Sequence, residues 1–185
     1  MSRIVLLFCV MIFASWVYHF DADEYAAQQN GSAAMVKKPN LSSPTISSES
    51  LAEEDLIFPI PNKSLQDVIS GYGDPRAGGK RRHEGVDVPA ERGTPVVAVT
   101  TGTITKVADR GNAGKQIWLR SAREEVSYFY AHLDSWCVEE GQSVKRGAVI
   151  GAVGNTGNAR HTLPHLHFEV RQGKRQTIDP ALVLP

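Results

Sequence analysis

Cysteine is scarce in this 185-residue chain: only Cys9 and Cys137 are present. Cys9 lies inside an apolar run, and Cys137 has no second cysteine near it. That spacing excludes a disulfide framework and a thiolate metal site, and leaves Cys137 as a lone, partly buried thiol that packs. Net charge is missing too, since 20 Lys and Arg balance 20 Asp and Glu. The chain therefore lacks the strongly basic footprint of a nucleic-acid binder. The balance is uneven, however: residues 1–62 sum to −4 and residues 63–185 to +4. A mildly basic domain suits an anionic polymer such as a cell wall. Helical periodicity is almost absent, with only the short Ser64–Ser70 segment reading as a helix.

Long hydrophobic runs are limited to one, Ile4–Phe20 behind Met1, Ser2 and Arg3. It reads as a signal anchor or a signal peptide over residues 1–20. Arg3 before it and Asp21, Asp23 and Glu24 after it favour an N-terminus left in the cytoplasm. Residues 21–62 are rich in Ser, Ala, Asn, Pro and Gln and read as a flexible linker, with Leu56–Pro61 as an extended strap against the domain. The linker either extends the domain's reach or folds over its groove. From residue 63 to 185, short Val-, Ile-, Thr- and aromatic-rich segments alternate with glycine turns, several with period two. That pattern predicts an all-β domain, with a hairpin turn at residues 111–114.

Histidines beyond the apolar run occur at 83, 132, 161, 165 and 167. His83 and Asp87, four apart in an extended segment, face one side, and Gly85 between them leaves room for a metal or a bound peptide. His165 and His167, two apart, also share a side, while Leu166 and Phe168 point into the opposite layer. Tyr128, Tyr130 and His132 share a face by the same period. His83, Asp87 and one of His165 or His167 supply three protein ligands, which leaves a fourth position open, as a catalytic zinc requires. The remaining histidines are free to move protons or to steady a tetrahedral intermediate.

His83-x-x-x-Asp87, the later His165-x-His167 and the YAHL segment at 130–133 together resemble the lysostaphin-like (LytM-type) zinc endopeptidases of peptidoglycan. The segments RHEGVDVPAERGTPVVAV and VEEGQSVKRGAVIGAVGNTGNARHTLPHLHFEV carry the same resemblance across residues 72–172. It implies a compact antiparallel β-sandwich or barrel-like domain of the duplicated hybrid type; the anchor helix and tether read from residues 1–62 lie outside it. It implies His83, Asp87 and His167 as Zn2+ ligands, His132 and His165 as catalytic histidines, and peptidoglycan stem peptides as substrate. The implied location is the bacterial envelope, with a periplasmic domain anchored to the inner membrane through the N-terminal segment. Two rivals are a silent wall-binding module that regulates an amidase, which would have lost a ligand, and a carrier domain, which would leave His83 and Asp87 unexplained. His161 sits in a longer loop than the family's and reads as solvent-facing. Arg76, Arg81 and Arg82 are candidates for stem-peptide carboxylates, and Tyr128 or Tyr130 for assisting catalysis.

Overall fold

The computed structural model describes residues 56–122, 125–173 and 176–185. The apolar run Ile4–Phe20 and the linker up to residue 55 lie outside the described residues. None of the helices among the described residues is long and apolar enough to cross a membrane.

The described chain is all-β. Its strands are β1 (Pro75–Arg76), β2 (Arg81–Arg82), β3 (Val86–Pro89), β4 (Pro95–Val97), β5 (Gly102–Arg110) and β6 (Gly114–Ser121), followed by β7 (Val126–Trp136), β8 (Ser143–Val144), β9 (Val149–Val153), β10 (His165–Gln172) and β11 (Gln176–Ile178). β1 and β2 form a separate two-stranded ribbon. The main sheet runs β11-β10-β7-β6-β5-β8, with β3 also on β10 and the β4–β9 pair attached to β7. Every pairing is antiparallel. The turn expected at 111–114 joins β5 to β6, with Gly111 and Gly114 both at φ 61°. The expected helix reduces to one 3-10 turn, Leu65–Asp67, closed by a Ser64–Asp67 capping box.

Alternation decides the layers. Leu166, Phe168 and Val170 of β10 are fully buried and join Tyr128, Tyr130, Ile117, Leu119 and Ile150 in the core. The strap enters this core: Leu56, Phe58 and Ile60 are buried. Its backbone bonds on both sides, with Ile57 N donating to Val99 O at 3.1 Å and Pro59 O accepting from Val97 N at 2.9 Å.

β7 is a corner strand. It pairs with β10 as far as Ala131 and with β9 from Leu133 onward. Its register with β6 shifts across the same point, between Lys115 and Ile117. His132 sits at the corner with φ 61°, the extra residue of a bulge that bends the strand from one partner to the next. Cys137, expected to pack, is instead exposed, with its Sγ against Val149 O. Its backbone N–H bonds to Ile150 O just past the end of β7, and the side chain turns outward.

Ile60→Ala should destabilise the domain by about 2–5 kcal/mol, because its side chain is fully buried. Urea unfolding of the two chains checks this.

Candidate active site

One face of β10 carries His165, His167, Glu169 and Arg171, alternating with the core residues on the other face. β3 lies along its edge with Asp87 directly opposite His167. That register brings Asp87 Oδ1 to 2.9 Å from His167 Nδ1. His83 enters from the end of the β1–β2 ribbon, its Nε2 3.0 Å from His167 Nδ1 and 3.2 Å from Asp87 Oδ1. His83 and Asp87 therefore do converge, helped by a bend at Gly85. The space expected at Gly85 for a metal or peptide is filled by β10: a Cβ there would lie 2.1 Å from Phe168 O. Glycine is needed because the two backbones touch.

The three donor atoms suit a divalent cation. Neutral imidazoles and a carboxylate are zinc ligands, and the corners of a tetrahedron with bonds near 2.1 Å lie about 3.4 Å apart. The group is also the His/Asp cluster among the described residues that could hold a metal ion. Each ligand is held from behind. His83 Nδ1–H donates to Gly71 O at 2.8 Å, which turns Nε2 toward Asp87 and His167. His167 Nε2–H donates to Glu169 Oε1 at 2.8 Å, which turns Nδ1 toward Asp87 and His83, where a bound cation would replace its proton. Arg171 Nε donates to Glu169 Oε2 at 2.7 Å, and the same guanidinium reaches Glu84 and lies 5.1 Å over the Trp118 ring. Arg76 Nη2 donates to Asp87 Oδ2 at 2.5 Å and to Ser70 Oγ at 2.9 Å.

These contacts set the charge states of the site's own groups. Burial alone would raise the pKa of Asp87, but hydrogen bonds from His167 and His83 hold it far below the usual carboxylate range. Burial likewise opposes ionisation of Glu169 and is outweighed by His167 and Arg171. For His167, burial favours the neutral ring, yet its bonds to Asp87 and Glu169 lift its pKa to about 9.

His132 and His165 form the second half of the site. Strict alternation would put His132 on the same face as Tyr128 and Tyr130. Its left-handed φ turns it out of that face and into the groove. The two tyrosines stay in the core: both are fully buried, Tyr128 stacks on Phe168, and Tyr130 OH accepts from Val99 N at 3.1 Å. They are walls of the core and not catalytic groups. His132 Nδ1–H donates to Thr156 O at 2.9 Å and His165 Nδ1–H to Leu163 O at 2.8 Å, so both Nε2 atoms are free. The two rings lie 5.1 Å apart, and His132 is 5.9 Å from His167. Burial first, and then the nearby His165 and His167, lower the pKa of His132 to about 4.

All five expected residues line one open groove of about 1130 Å3. Arg76, Arg81 and Arg82 line it as well, whereas His161 is exposed and lies off its walls.

A family model described as peptidase family M23 matches residues 81–180, more than half of the chain. The chain belongs to peptidase family M23. This M23 chain is 42% identical over 112 residues to a Haemophilus influenzae protein named as an uncharacterized metalloprotease, covering 60% of this chain and 23% of that protein. It is 41% identical over 105 residues to the DD-carboxypeptidase/endopeptidase Mpg of Neisseria meningitidis serogroup B, covering 57% of this chain and 24% of that protein. The match thus spans about a quarter of these relatives. Among solved structures, the catalytic domain of the antimicrobial peptidase lysostaphin from Staphylococcus simulans superposes with a TM-score of 0.57 at 30% identity, covering 73% of this chain and 95% of that chain. The M23 chain therefore has the lysostaphin-like fold.

Sequence reasoning passed over Glu169, Arg171 and the Arg76–Asp87 pair. The first two had a signal: His165, His167, Glu169 and Arg171 recur at every second position of one strand. The carbonyls of Gly71, Thr156 and Leu163, which fix three imidazoles, had none.

Asparagine tolerates the left-handed region and valine does not. His132→Asn should stay within about 1 kcal/mol of the parent, while His132→Val should lose roughly 1–3 kcal/mol, as read by urea unfolding. The chelator-treated chain should be most stable near pH 6.5. As the pH falls from 6.5 toward about 4, the unfolded chain protonates His132 before the folded one does, and stability drops. As the pH rises from 6.5 through about 9, the folded chain keeps the His167 proton that the unfolded chain has lost, and that stabilisation disappears. Each limb is worth on the order of 3 kcal/mol, and His132→Asn should remove only the acid limb from the pH–stability curve.

Proposed function

We propose that this M23 chain is a zinc-dependent endopeptidase that hydrolyses peptide cross-links of bacterial peptidoglycan. The observation that carries the reading is the convergence of His83 Nε2, Asp87 Oδ1 and His167 Nδ1 within 3.2 Å of one another, on a groove floor shared with two further imidazoles. The named activities of the relatives agree with it. His83, Asp87 and His167 would hold the zinc. Zinc supplies Lewis acidity, polarising a carbonyl and making water a nucleophile near neutral pH.

The chain's own groups do the rest. Glu169 fixes the His167 ring and adds negative charge behind it. His132 is neutral above about pH 4, with Nε2 free to accept a proton from the attacking water. His165 presents a second free Nε2 on the same floor. One imidazole takes the proton of the water and returns it to the leaving amine, and the other steadies the tetrahedral intermediate. Every residue in these roles is in place, which favours an enzyme over a silent regulatory module.

The site of action follows from the substrate and the N-terminus. We place the domain outside the cytoplasm in the cell envelope, tethered by residues 21–55 to a membrane-associated Ile4–Phe20 segment; the Leu56–Pro61 strap belongs to the domain core.

The full chain, loaded with zinc, should release cross-link fragments from purified peptidoglycan, detected by mass analysis. Chelation should abolish release, His167→Ala should abolish it with or without added zinc, and His132→Asn should slow it roughly 10²–10⁴-fold. A folded, zinc-loaded chain that releases nothing would move the reading to a regulatory module.

A further inference from the structure

The three groove arginines are in different states. Arg76 is committed to Asp87 and Ser70. Arg82 spends one nitrogen on Gly73 O at 3.2 Å. The Arg81 side chain has no hydrogen bond or ion pair among the described residues. Its position is nonetheless fixed: it pairs across the β1–β2 ribbon with Arg76, the residue that touches a candidate metal ligand, and Arg82 directly precedes His83.

Two like charges opposite each other on a ribbon are unfavourable; Asp87 offsets Arg76, but no acid among the described residues pairs with Arg81 or Arg82. Asp74 is held by Ser70 and the Gly71 N–H. Glu84 is engaged by Arg171. The ribbon end of the groove thus keeps surplus positive charge. The opposite end is neutral, lined by Asn112, Ala113, Asn158, Ala159, Thr162 and Leu163.

We propose that Arg81, together with Arg82, is a carboxylate-recognition subsite one strand-width from the metal centre. It would select cross-links in which a residue flanking the scissile amide carries a free carboxylate, as a diamino diacid does and a glycine bridge does not. A planar guanidinium binds a carboxylate with paired hydrogen bonds, and the neutral end accommodates the uncharged half of the peptide. This inference rests on the peptidase reading above and names the substrate class of that site.

The test uses two muropeptide dimers joined by a D-alanyl–diaminopimelate bond, identical except that the diaminopimelate carboxylate beside the bond is free in one and amidated in the other. With the zinc-loaded full chain, kcat/KM for the free acid should exceed that for the amide about 10–100-fold, mainly through KM. The preference should shrink as salt is raised. In R81Q/R82Q the acid-to-amide ratio should fall toward one, and Arg81→Lys should retain part of it. A parent ratio near one, or a ratio unchanged in R81Q/R82Q, would overturn the subsite, and a general folding defect lowers both rates without moving the ratio. If neither dimer is cut, the peptidase reading fails and binding to the same chain decides the subsite. A Kd tenfold or more tighter for the free acid sustains it, and equal Kd values overturn it.

Discussion

β10 is hydrogen-bonded on both edges along the stretch that matters, to β3 through His165–Phe168 and to β7 through His167–Gln172. A strand held on both sides cannot slip its register, because a one-residue shift would drive Leu166, Phe168 and Val170 into water and three polar groups into the core. The same ladder fixes Asp87 opposite His167. The hydrophobic core thereby sets the donor geometry, although no core side chain belongs to the site.

Burying two carboxylates beside imidazoles is costly unless each charge has a partner. The site meets this in tiers: Arg76 behind Asp87, and Glu169 behind His167 with Arg171 behind Glu169. Asp87 and His167 are thus each oriented by a charged partner. A cation bound by two neutral histidines and one carboxylate would retain much of its positive charge, as activation of water and a carbonyl requires. The proposed peptidase chemistry and the supporting charge network are therefore parts of one electrostatic arrangement.

The two halves of the site come from different physical devices. The ligand half is built on regular pairing of β3 with β10. The other half depends on the β7 corner, where a strand changing partners leaves one residue out of register and turns His132 into the groove. A bulge stores some strain, and the ladders on either side over-determine it.

The sequence by itself determined the all-β class, the β5–β6 turn and the opposite facing of His165/His167 and Leu166/Phe168, because period-two alternation and glycine turns are local properties of the chain; the full set of five groove residues came from the family resemblance and not from alternation. It also contained the Glu169 and Arg171 signal, as a continuation of that alternation along β10. The tertiary structure alone decided that Tyr128 and Tyr130 belong to the core while His132 does not, since a corner breaks the alternation from which they were grouped. It decided that Gly85 makes room for the Phe168 backbone, that Cys137 faces outward, and that the Arg76 side chain is bound while that of Arg81 has no partner among the described residues. Each of these depends on which distant strand lies alongside, and that is set by long-range pairing that no local pattern encodes.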